Sequence, residues 1–130
     1  MAVIKEKIKK SAKQYKGKMK NKKIEGYWYS DDEYNKDYPK PIPNVLTEDE
    51  AKEIYQLIRK KQKDAHQNSY KGFSYSRISG ERLGSREYEK DNWIWPVDFS
   101  SHYVLKHKVR PSEEFLEYIG FYDFIDISEL

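Results

Sequence analysis

"NWIWPVDFSSHYVLKH", residues 92–107, is the hinge of the chain, where a strand pattern gives way to a helix pattern. Successive side chains of a strand point to opposite faces, so Trp93 and Trp95 share one face and Ile94 takes the other. Pro96 cannot donate to a ladder and ends the strand. A short helix is expected from about Phe99 to His107, capped by Asp98 or Ser100. Upstream, "REYEKDNWIWP" (86–96) has the pattern of a hairpin that turns near Lys90 to Asn92. Before it, "SGERLGS" (79–85) makes a turn with Gly80 and Gly84. "YKGFSYSRI" (70–78) alternates like a strand, with Phe73, Tyr75 and Arg77 on one side. The expectation is a small antiparallel sheet over about residues 70–96.

Helices flank this sheet. "TEDE" (47–50) is a capping box, in which the Thr47 hydroxyl and the Glu50 carboxylate each serve the other residue's amide. The helix it starts should run to about Ala65, burying Ala51, Ile54, Tyr55 and Ile58 with Leu57 beside them. Acids lead and "RKKQK" trails, which suits the helix dipole. "SEEFLEYIG" (112–120) is a second helix with Ser112 at its start and Gly120 past its end. "FYDFIDISEL" (121–130) alternates as an edge strand or a docking tail. The fold class is therefore α+β: a small antiparallel sheet packed with three to four helices.

Residues 1–24 are a separate matter. They carry ten Lys and one Glu, a charge of +9, so the rest of the chain sums to 3 − 9 = −6. Ile4, Ile8, Ala12, Tyr15 and Met19 make a narrow helical stripe in this basic arm. Lys9, Lys10, Lys13, Lys16 and Lys20 lie on its other faces and are the residues that an anionic surface or nucleic acid would meet. The arm holds no Arg, the better phosphate fork. The division is an arm at 1–24, helical or partly disordered, and one domain at 25–130. Within the domain, "GYWYSDDEYNKDYPKPIPN" (26–44) is a proline-punctuated loop. Asp31, Asp32 and Glu33 fit a turn better than a Ca²⁺ loop.

Aromatic residues are 15% of the chain and cysteine is absent, so disulfides and thiolate metal sites are excluded. No apolar run approaches the roughly 20 residues of a membrane span. With no secretory segment, the expected location is the cytoplasm, or the host cytoplasm for a phage-encoded chain.

His102 and His107 form H-x4-H, and Ser76 and Ser79 form S-x2-S. With cysteines at the serine positions this would be a two-Cys two-His zinc frame. Residues 75–115 resemble a family of small, largely uncharacterised bacterial and phage proteins. Its pattern is C-x-x-C-G, then G-S, W-x-W-P-E-G, H-Y-V, H-x-V and P-x-x-F. The match comprises Gly80, Gly84, Ser85, Trp93, Trp95, Pro96, His102, Tyr103, Val104, His107, Val109, Pro111 and, one residue beyond the pattern's spacing, Phe115. It fails at Ser76 and Ser79, and at Val97 and Asp98 in place of Glu-Gly. The resemblance covers about a third of the chain and implies a zinc-ribbon or treble-clef fold, with no activity to carry over. Serine is a poor Zn²⁺ ligand and two histidines leave half the shell empty, so no metal and no cofactor are expected. The serines are instead expected to hydrogen-bond the histidines, with tryptophan packing in place of the metal cross-link.

For catalysis, Ser85, Arg86 and Glu87 beside His102 are the ingredients at hand, but there is no G-x-S-x-G elbow, phosphate loop or H-E-x-x-H helix. No catalytic residue is assigned. The expected function is a non-enzymatic accessory or inhibitor protein acting through a protein–protein interface, with a homodimer included. The alternative is a nucleotide or nucleic acid bound by the basic arm and the hairpin. Binding candidates for either are Arg77, Arg86, Glu87, Trp93, Trp95, His102 and His107, since aromatics and Arg dominate interfaces and also stack bases and fork phosphate.

Overall fold

A computed structural model describes residues 22–31, 35–69 and 72–122. The elements in chain order are β1 (Lys23–Ile24), α1 (Glu48–Gln62), β2 (His66–Ser69), β3 (Arg86–Lys90), β4 (Trp93–Pro96), a π-helix (Phe99–Lys106) and α2 (Glu113–Ile119). The fold is α+β, a four-stranded sheet of order β1-β4-β3-β2 with three helices. Most of the basic arm, including the five lysines named above, lies outside the described residues, as does 123–130 of the terminal segment.

β3 and β4 form the expected hairpin, with Tyr88 opposite Trp95 and Lys90 opposite Trp93. Its two turn residues, Asp91 and Asn92, both have positive φ, the backbone that two-residue hairpins need and that Asp and Asn tolerate. Two strands fall outside the expected 70–96 span. β2, "HQNS", has no apolar alternation to betray it, and pairs antiparallel with β3 as an exposed edge. β1 pairs parallel with β4 and makes the sheet mixed. It also shows that residues 23 and 24 of the basic segment belong to the body. In contrast, 72–78 joins no sheet. Its single bridge, Tyr75 to Arg82, closes a small hairpin of its own.

The capping box at Thr47 and Glu50 is formed, at 3.1 and 2.8 Å, and α1 buries Ala51, Ile54 and Ile58. It ends at Gln62, three residues before the expected Ala65. α1 packs on the π-helix and on α2. Between these layers lies an aromatic core: Trp93, Trp95, Phe99 and Phe115 are buried, joined edge-to-face at centroid distances of 5.1 to 5.7 Å. Such contacts each add about 0.5–1.5 kcal/mol beyond area burial. Ile94 turns to the opposite face, against Ile24 and Tyr27. Gly26 is required where the chain passes this core. Its φ is +81°, and a Cβ there would meet the Phe99 ring at 2.7 Å.

One buried polar clasp ties the ends of the domain together. Glu25 accepts from the Ser112 amide at 2.8 Å and the Ser112 hydroxyl at 2.7 Å. The same hydroxyl accepts from the Phe115 amide and caps α2. Among the described residues no helix is long and apolar enough to cross a membrane.

Candidate functional site

The site starts with a knuckle. The Ser76 carbonyl accepts from the Gly80 amide at 3.0 Å, while the Ser76 amide donates to the Glu81 carbonyl at 2.8 Å. The Ser76 hydroxyl accepts from the amides of Ile78 at 3.1 Å and Ser79 at 3.0 Å. Gly80 has φ +80°, the left-handed conformation that reverses the chain. Ser-x-x-Ser-Gly therefore winds around one side-chain oxygen, and Glu81 leaves the turn pointing back over it.

Asp98 fastens the knuckle to the body. It stands at the start of the π-helix but does not cap it. Its carboxylate accepts instead from the Ser74 hydroxyl at 3.1 Å and the Gly84 amide at 3.3 Å. Burial pushes the Asp98 carboxyl up, opposed by those two hydrogen bonds. Ser100 does not take the cap either, since its hydroxyl turns toward Gln62.

The expected helix at 99–107 forms, but with π winding. The winding brings the two histidines together. On an α-helix, residues five apart lie about 140° apart around the axis. Here the His107 amide donates to the His102 carbonyl at 3.1 Å, an i→i−5 bond, and the two imidazoles stack edge-to-face at 4.7 Å. π turns inside helices concentrate at functional sites.

Four side chains converge as a result. His102 Nε2 is 2.7 Å from Ser76 Oγ, and its Nδ1 is 3.6 Å from Glu81 Oε1. Glu81 Oε1 also accepts from the Ser79 hydroxyl at 3.0 Å and from Lys106 at 3.3 Å. Those two donors hold the Glu81 carboxyl below the usual range. Burial, and then the neighbouring His107, push the His102 pKa down. Among the described residues, the buried His107 Nε2 has no hydrogen-bond partner. Glu81, His102 and His107 each offer one ligand atom, and these atoms lie within 4.8 Å of one another.

Ser76, His102 and Glu81 follow the order of a serine hydrolase relay. Ser76 is only 5% exposed, however, and its hydroxyl already receives two backbone amides. The crevice nearby, of about 60 Å³, is lined by Ser74, Tyr75, Arg77, Asp98 and Tyr103 rather than by Ser76.

The other sequence-derived candidates scatter. Arg77 donates to the carbonyls of Tyr29 and Tyr75, and its amide donates to the Tyr103 hydroxyl at 3.1 Å. Arg86 is exposed at the start of β3. Glu87 receives the Tyr27 hydroxyl and the Asn68 amide. Trp93 and Trp95 are 5% and 0% exposed, so stacking a base on either ring would require opening the core. Ser85, Arg86 and Glu87 do not join His102. Glu81 is the residue that the sequence reading missed. The usable signal was its place directly after Ser-x-x-Ser-Gly, where a knuckle turns the next side chain toward its centre. No protein-family model, curated protein or solved structure gives a significant match to this chain, so the knuckle and its two histidines stand on their own geometry.

Proposed function

We propose that this chain is a non-enzymatic binding protein that engages a protein partner through the outer face of the knuckle. The observation that carries this reading is the exposure of Phe73 and Tyr75, at 52% and 53%. They sit two residues apart on extended chain, so they share one side. Arg82 is bridged to Tyr75 and holds its guanidinium 4.5 Å from the centre of the Phe73 ring. Phe73 and Tyr75 are absent from the core, so packing does not account for them. Tyr and Arg on a rigid support are the residues from which interface hot spots are built. The partner this patch suits has an apolar depression with a carboxylate at its rim, facing Arg82.

The test combines mass and capture. Native mass spectrometry of the purified chain reports oligomers and adducts together. Tagged wild type and a Phe73→Ser/Tyr75→Ser/Arg82→Glu variant are then compared as baits in lysate from the source cells. A homodimer, or a specific captured protein, that is present with wild type and reduced at least about tenfold by the variant supports the reading. The variant should melt close to wild type, because surface changes cost little. A nucleotide adduct with raised 260 nm absorbance, or a partner held equally by the variant, overturns it.

A further inference from the structure

We propose that Glu81, His102 and His107 form a binding site for one divalent transition-metal ion of the zinc class, open on the Glu81 side to a fourth ligand. Three observations meet here. First, the donor set is two imidazoles and a carboxylate, which suits Zn²⁺ and its neighbours rather than Ca²⁺ or Mg²⁺. Second, the spacing is close to that required. Bonds of about 2.0–2.1 Å to a tetrahedral ion set its ligand atoms about 3.4 Å apart. Glu81 Oε1 and His102 Nδ1 are already at 3.6 Å, and all three ligand atoms lie within 4.8 Å. Third, among the described residues the buried His107 Nε2 has no hydrogen-bond partner, and an ion bound to that nitrogen would satisfy it.

The surroundings support the ligands. Metal-binding histidines usually have their second nitrogen oriented by a hydrogen bond. Ser76 Oγ, 2.7 Å away, holds His102 Nε2 in this way. Ser76 and Ser79 are therefore supports for the ligands: Ser79 donates to Glu81. The competing cation is Lys106, which shares Glu81 Oε1 at 3.3 Å. Its side chain is 60% exposed and has open solvent to move into. Glu81 is half-exposed, so its carboxylate can shift without disturbing the core.

Chelator-treated full-length protein is titrated with ZnSO₄ by calorimetry, and separately with Co²⁺, whose visible absorption reports the ligand geometry. The expected result is one ion per chain and a higher melting temperature with zinc. Glu81→Gln and His107→Gln should each weaken zinc at least about tenfold, the scale on which metal sites respond even to their outer partners. Glu81→Gln should fold as wild type without metal, because Glu81 is exposed. His66, on β2 and outside the cluster, provides the control: His66→Gln should bind as wild type. Absence of zinc uptake at equimolar concentration overturns the proposal. So does binding that survives both Glu81→Gln and His107→Gln, or that disappears in His66→Gln.

Discussion

At Glu25 a single carboxyl couples the start of the domain to the cap of its last helix. Burial, the largest influence, raises its pKa against the two hydrogen bonds from Ser112. A group with a raised folded pKa contributes stability that is complete below its unfolded pKa and fades as pH rises through the folded value. Glutamine cannot ionise, so Glu25→Gln escapes that loss. The melting temperature of Glu25→Gln relative to wild type should therefore climb between about pH 4 and about pH 7, the range above ordinary carboxyl titration. Thermal melts across that range check the sign. The lowered carboxyls Glu48, Asp64, Glu81 and Glu89 act in the opposite direction but equally in both proteins, so they cancel in the difference. At the same scale, the role of Ser76 was legible in part. Its spacing to Ser79 and the two histidines promised a hydrogen bond to an imidazole, and Ser76 makes it with His102. Ser79 instead turns to Glu81, because the knuckle commits the two hydroxyls to different sides.

Among the elements, α1 was the most readable, because its signals are local: a cap, a charge gradient and a 3.6-residue stripe. Thr47→Ala should cost about 1 kcal/mol, the usual worth of an N-cap, and lower the urea midpoint without changing the denaturant slope. The helix at 99–107 was equally visible as a helix, yet its winding was not. Nothing local in "FSSHYVLK" marks i→i−5 bonding. Phe99, Tyr103 and Val104 must all reach the core, and the side chain of Asp98 is held by the knuckle. Packing at both ends therefore selects the wider turn, and only that turn faces His107 toward His102. Strand β2 was missed for a related reason. "HQNS" is polar throughout, and an edge strand that is mostly exposed needs no alternation. Its partner β3 supplies the pairing.

Across the whole molecule, one aromatic layer joins sheet to helices. Trp95 is fully buried, packs on Phe115, Tyr88 and Tyr118, and donates its indole N–H to Gln62 at 3.3 Å. Trp95→Ala should cost about 3–5 kcal/mol, a large share of the roughly 5–15 kcal/mol that such domains possess. Chemical denaturation followed by circular dichroism should show one transition at a much lower midpoint. A loss confined to the hairpin, with α1 still folded, would show that the two layers are not one cooperative unit.

Period and punctuation along the chain were enough to specify the α+β class, α1 with its cap, the hairpin with Trp93 and Trp95 on one face, and the last helix between Ser112 and Gly120. These depend on contacts a few residues apart, and so they are written in consecutive letters. Only the tertiary structure decided the parallel strand β1, the burial of Trp93 and Trp95 in the core, and the meeting of Glu81 with His102 and His107. Those depend on side chains from distant segments competing for the same space, and on a helix whose turn was widened by what it packs against.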